Sequence, residues 1–198
     1  MGSSSPRRQM FLRGLNVDFT IIKPDVEEMR KPGELPLVYV QRNAKIKAFD
    51  VMAKVKSASS ALIISADTIV HMGDEVLEKP RDEADQRRML SKLSGVWHTV
   101  TTAVHLLHQS PGKPAEESLM VSSQVLFKKL AEDEIEYYVG TKDGLDKAGG
   151  YGLQEIGCFL VREIKGSYSN VIGLPVAEML DGIRTKFGIT LLNIGNEI

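Results

Sequence analysis

The run Ala61–Val70, ALIISADTIV, constrains this chain more than any other segment. A continuous stretch of Ala, Leu, Ile, Ser and Val reads as a buried strand, and a buried strand requires other elements packed over it. The run carries one charge, Asp67, close to its C-terminal end. Taking a carboxylate out of water is costly unless it is paired, hydrogen-bonded or bound to a metal. Asp67, followed by Thr68, is therefore a catalytic candidate at a strand end; the plainer reading is an Asp satisfied by a neighbouring turn.

The elements around that strand follow from period and punctuation. Ser5-Pro6 reads as an N-cap and first helical position, with Phe11 and Leu15 turned to the core. Val17–Ile22 is a short β-prone run. Leu37, Val40, Ala44, Ala48, Val51 and Val55 step by three or four, which is one stripe of a helix. A second helix is expected at about Asp82–Leu93, capped by Asp82 and stopped by Gly95. Trp97–Leu107 and Leu119–Phe127 read as strands joined by a loop over residues 110–117. Glu132–Val139 reads as a short acidic helix, Asp146–Gly157 as irregular backbone and Cys158–Ile164 as a strand. Pro175 opens a last helix with Val176, Leu180, Ile183 and Phe187 on one face. Strands and helices mix without strict alternation, so the fold class is α/β with a mixed sheet rather than a doubly wound parallel one.

Composition removes several classes of function. The 198 residues hold 25 Lys+Arg against 26 Asp+Glu, so no basic excess marks a nucleic-acid binder. A single cysteine, Cys158, excludes an internal disulfide framework and a Cys-rich zinc site. No apolar run approaches the roughly 18–20 residues of a membrane helix, and no basic–apolar leader is visible. A cytoplasmic protein with no membrane and no nucleic-acid partner is the expectation. His71, His98, His105 and His108 lack metal-hydrolase spacing, and no Gly-x-Ser-x-Gly elbow occurs.

Four further places put polar residues where packing does not ask for them. Ser3-Ser4-Ser5-Pro6-Arg7-Arg8 combines helix-start N–H groups, hydroxyls and two guanidiniums, which together suit an anion. Lys47 lies on the long helix and Lys79 in Glu78-Lys79-Pro80; Asp25-Val26-Glu27-Glu28 is an acidic cluster. Each of these is equally readable as a solvated surface. Asp146–Gln154, DKAGGYGLQ, has glycines that allow close backbone approach to a ligand, and Gln154 offers a donor and an acceptor to a base edge.

Taken together, the segments SSSPRRQMFLRGLNVDF, PDVEE, NAKIKA, SADTIV, EKPRDEADQRRMLSKLSG with WHTVTTAV, DKAGGYGLQ and GSYSNVIGLP resemble the Maf family of nucleoside triphosphate pyrophosphatases, in family order and over nearly the whole chain. The resemblance implies a single Maf-like domain over residues 1–198, inosine-triphosphatase-like, with two lobes around a central cleft. It implies hydrolysis of a nucleoside triphosphate between the α- and β-phosphates with Mg²⁺ or Mn²⁺ as cofactor. By motif, Asp67 matches the family's general base and Glu28 its acidic partner, the two being the implied metal ligands. Lys47 and Lys79 match its phosphate-binding lysines. Ser3, Ser5, Arg7, Arg8, Thr68 and Gln154 match substrate-binding positions, Arg7, Thr68 and Gln154 being those tied to substrate choice. The DKAGxYGxQ form looks like the subgroup acting on dTTP and UTP, whereas the 7-methyl-GTP subgroup has a different loop. The family also implies a homodimer, and its link to septum formation implies a rival reading as a non-catalytic regulatory protein. Family members have a short apolar strand before SxSPRR, and here Met1-Gly2 precedes that motif. A truncated N-terminal strand is therefore expected, with a loss of burial beside the motif.

Overall fold

The computed structural model describes residues 1–55, 60–109 and 115–192. Helix α1 (Pro6–Gly14) starts at the expected Ser5–Pro6 boundary, but the Ser5 hydroxyl makes no capping bond. Its fully buried residue is Leu12, with Gln9 also buried, rather than Phe11 and Leu15. Val17–Ile22 is not a strand. It is extended chain tied to the first residue, with the Met1 ammonium donating to Thr20 O (2.8 Å) and Ile22 N–H to Met1 O (3.1 Å). A β-prone run without a free strand edge beside it stays irregular.

Helix α2 (Pro36–Lys54) lies across one face of the sheet. Val40, Ala44, Ala48 and Val51 form its buried stripe, packed on Ile63, Ile69, Ala103 and Leu107, while Leu37 is exposed. Burial of each valine is worth about 1.5–3 kcal/mol. The two alanines let the helix approach the sheet, so a larger side chain at Ala44 or Ala48 would overpack this face.

Strand β1 (Ala61–Met72) turns at Gly73 into β2 (Glu75–Leu77). After helix α3 (Glu83–Leu93), capped by Asp82 accepting from Asp85 N–H, come β3 (Trp97–Gln109) and β4 (Ala115–Phe127). Of the loop expected over 110–117, residues 115–117 belong to β4, and residues 110–114 lie outside the described residues. Helix α4 (Glu132–Gly140) follows, then 3-10 turns at Ala148–Gly150 and Glu155–Leu160, and β5 (Val161–Lys165). The strand expected from Cys158 thus begins three residues later, and Cys158 is exposed in the second turn. Helices α5 (Tyr168–Ile172) and α6 (Val176–Phe187) are the last elements among the described residues, with Met179 and Ile183 as the buried residues of α6.

The sheet order is β2-β1-β3-β4-β5 with every strand pair antiparallel; a parallel bridge between Gly2 and Ser65 makes the pairing mixed. That bridge is where residues 1 and 2 meet the sheet, immediately before SSSPRR. Opposite α2, the second face carries two apolar groups. One joins Leu12, Ile64, Ala66, Val104, Leu174 and Met179; the other joins Val70, Leu90, Val125, Phe127, Tyr138 and Leu160. Asn170 separates them from a buried position, donating to Val100 O and Ser123 Oγ and accepting from Thr102 N–H.

A gap in the sheet edge positions the cleft. The outer edge of β1 is covered by Gly2 at Ser65 and by β2 from Val70 onward. Between them no strand among the described residues covers residues 66–69, and this gap holds Asp67 and Thr68. Alternation sends their side chains to opposite faces, so Asp67 looks toward α2 and Thr68 toward the two apolar groups.

Candidate active site

A cleft of about 800 Å³ opens at the uncovered edge of β1. Its acidic wall, Asp67 of β1 and Glu28 of the segment before α2, is held in place by side chains of α2. Lys47, only 6% exposed, donates to Asp67 Oδ1 at 2.7 Å and pairs with Glu28 Oε2 at 2.5 Å. Asp67 is 8% exposed, so the pair is a nearly desolvated one, while the Glu28 side chain remains about half exposed. Asn43, one helical turn before Lys47, donates Nδ2–H to Asp67 Oδ2 at 3.1 Å. One turn earlier again, the Tyr39 hydroxyl donates to Glu28 O at 2.7 Å and so anchors the irregular segment that carries Glu28. Burial, reinforced by nearby Glu78, pushes the Tyr39 hydroxyl up to about 12, which keeps it a donor at neutral pH.

The basic wall comes from the start of α1. The Arg8 guanidinium donates to Gly173 O (2.7 Å), Thr68 Oγ1 (2.8 Å) and Ser3 Oγ (3.2 Å). Burial pulls Arg8 below the usual guanidinium range; Asp67 pulls it back up, Arg7 down and Glu28 up. Ser3 is buried and also accepts from Ser5 N–H, which shapes the turn into the helix. Thr68 Oγ1 shares a 2.9 Å hydrogen bond with Thr102 Oγ1. Arg7 pairs with Asp146 at 3.6 Å across the cleft mouth, and exposed Lys79 lines the cleft just after β2.

Nine of the ten residues singled out in the sequence therefore line one cleft: Ser3, Ser5, Arg7, Arg8, Glu28, Lys47, Asp67, Thr68 and Lys79. Gln154 does not. Its amide donates toward the Met10 sulfur at 3.6 Å on the outside of α1, while Gly152 and Leu153 face the cleft. Sequence reasoning missed Asn43 and Tyr39. Their spacing with Lys47, each four residues apart beside the apolar stripe, was the available signal. It also missed the Gly173 carbonyl that holds Arg8; Gly173 has φ of 120°, a conformation that suits glycine.

Residues 1–186 match the family model described as Maf-like protein. The chain belongs to the Maf family. It is 43% identical over 187 residues, 94% of this chain and 96% of the relative, to a dTTP/UTP pyrophosphatase of Vibrio cholerae. Similar proteins from Syntrophus aciditrophicus and Clostridioides difficile, both named dTTP/UTP pyrophosphatase, are 39% identical over 96% of this chain and cover 90% and 96% of their own lengths. The expected Maf fold, an α/β chain with a central cleft, is the one observed. No helix among the described residues is long and apolar enough to cross a membrane.

The donor set of this Maf cleft fits a hard divalent ion. Among the described residues no cluster of three or more His, Cys, Asp or Glu could enclose a metal. Mg²⁺ is commonly held by one or two carboxylates with substrate phosphates and water completing the shell. Glu28 and Asp67, brought to one place by Lys47, provide such a pair of carboxylates.

Proposed function

We propose that this chain hydrolyses dTTP and UTP to the nucleoside monophosphate and pyrophosphate. The observation that carries the reading is the buried Asp67–Lys47 pair with Glu28, set at the uncovered edge of β1 and facing the arginines of α1. The names borne by the relatives supply the substrate class.

In the reaction a water oxygen forms a bond to the α-phosphorus and the bond from that phosphorus to the bridging oxygen breaks, releasing pyrophosphate. The water proton goes to a carboxylate oxygen of Asp67, each of which keeps a lone pair beyond its bond to Lys47 or Asn43. Arg8 uses three of its N–H groups on Gly173, Thr68 and Ser3, which leaves two of the guanidinium's five for phosphate oxygens. Arg7 and Lys79 add charge from the mouth of the cleft. At an effective dielectric near 20, a cation 4 Å from a phosphate oxygen is worth about 4 kcal/mol before desolvation. Glu28 and Asp67 would hold Mg²⁺ or Mn²⁺, which when bound polarises the phosphate oxygens as a Lewis acid. The apolar part of the lining, including Val70, Tyr151 and Leu153, is a wall suited to a base.

Pyrophosphate release from dTTP, UTP, CTP, dATP, GTP and 7-methyl-GTP, with Mg²⁺ or Mn²⁺, tests the proposal beside Asp67→Asn. Turnover of dTTP and UTP is expected, with kcat at least ~10²-fold lower in the variant. Failure to turn over any of these nucleotides, or a folded Asp67→Asn chain of full activity, overturns it.

A further inference from the structure

We infer that Asn43 is a positioning residue that sets the orientation of the Asp67 carboxylate for attack on the triphosphate. The inference deepens the pyrophosphatase reading and rests on it.

Packing alone does not explain the placement of Asn43. Asn43 is fully buried in the middle of α2, and its Oδ1 has no hydrogen-bond partner among the described residues. Leaving a buried acceptor unsatisfied costs about 1–3 kcal/mol, whereas an apolar side chain of the same shape avoids that cost. A leucine would suit this helix face, flanked as it is by Val40 and Ala44. The amide's other half accounts for its presence, since Nδ2–H donates to Asp67 Oδ2 at 3.1 Å.

That bond constrains what the Lys47 bond alone leaves free. A carboxylate held through one oxygen can still turn about its terminal torsion, which is broad for Asp. Lys47 holds Oδ1 and Asn43 holds Oδ2, so two donors one helical turn apart on α2 fix the plane of the group. The remaining lone pairs then point in a constant direction at the cleft edge. Tyr39, a further turn away, fixes the chain carrying Glu28 from the same helix face. Arg8 and Lys79, which offset the triphosphate charge, line the cleft and Asn43 does not, so its loss acts on the reacting step through Asp67 and not on nucleotide binding.

The test is Asn43→Leu, assayed with wild type and Asp67→Asn on dTTP and UTP. The thermal midpoint and the affinity for a non-hydrolysable α,β-imido-dUTP are measured on the same preparations. The expected result is a kcat lower by about 10- to 100-fold, with KM and analogue affinity within about two-fold and a Tm close to that of wild type, because relief of the unpaired Asn43 acceptor offsets the donor lost to Asp67. A merely structural asparagine gives the opposite pattern, a lower Tm with kcat per folded molecule unchanged, and that result overturns the inference. If Asn43→Leu does not fold, Asn43→Ala is read below its own unfolding midpoint against the same two criteria. A wild-type chain with no turnover removes the pyrophosphatase reading and this inference with it. An active wild type with a fully active Asn43→Leu removes the inference alone.

Discussion

The cleft is made of two regions built on different principles. On one side Asn43, Lys47 and Asp67 project from a helix and a strand, are buried, and are fixed by packing of the α2 stripe against β1. On the other, the segment from Asp146 to Gln154 is shaped through its backbone. Gly149 and Gly150 both adopt positive φ, 73° and 74°. Gly149 N–H donates to Glu78 O, Gln86 donates to Gly150 O, and Gly152 N–H donates to the Tyr138 hydroxyl. Lys147 there is satisfied locally, on Asp143 and Asp146, and Asp146 also pairs with Arg7 across the cleft mouth. On the proposed mechanism, proton transfer falls to a packed helix and strand, where a small displacement costs rate. On the same mechanism, contact with the base falls to this loop, whose Tyr151, Gly152 and Leu153 line the cleft.

Removing the ion that joins the first region should break the comparison most severely. Lys47→Met leaves Asp67 and Glu28 facing each other with no cation between them. Loss of one partner of a buried pair costs about 3–5 kcal/mol, and half-exposed Glu28 argues for the lower end. Urea unfolding at neutral pH measures it, and a loss below about 1 kcal/mol would show that the helix does not depend on this contact.

The second region has a pH-dependent support. His98 on β3 shares a 2.7 Å hydrogen bond with the Tyr151 hydroxyl, and burial holds its pKa down at about 4. Between an ordinary value near 6.5 and about 4, the unfolded chain takes up a proton that the folded chain refuses. Stability contributed here is therefore present above pH 6.5 and is lost as pH falls toward 4, by about 3 kcal/mol at most. A His98→Gln variant should show a flatter dependence of unfolding free energy on pH across that window. An unchanged slope would assign the acid sensitivity elsewhere.

The smallest effect sharpens the role of the loop side chains. Because Gln154 rests on Met10 outside the cleft, Gln154→Ala should alter the ratio of kcat/KM for UTP over GTP by less than about three-fold. A change above ten-fold would place this amide against the base during turnover.

Legibility in the sequence divides along the same line. Asp67 stood out as the one charge in a buried run, and the α2 stripe stood out by its period. The arginines were visible as an anion-suited helix start. Lys47 is visible in the sequence as a polar residue on the long helix, but its role comes from family resemblance, since a single lysine beside an apolar stripe is indistinguishable from a solvated one until the strand opposite is known. Asn43 escaped notice because its role depends on a residue 24 positions away. Val17–Ile22 misled because β propensity says nothing about whether an edge is available to pair with it. Where Gln154 points could not be read from the sequence, because a Gly-rich loop fixes its backbone through contacts such as Gly150 with Gln86, which are not local in the chain.

The double duty of α2 has a consequence for how such a chain can diverge. One helix carries the stripe that anchors it to the sheet and the row Tyr39–Asn43–Lys47 beside that stripe. A single inserted or deleted residue between Val40 and Val51 rotates everything beyond it by about 100°. Part of the anchor and part of the reactive row would then leave their places together. Exposed positions of this helix, such as Val38 and Gln41, remain open to exchange, but its length in that interval is held by two independent requirements.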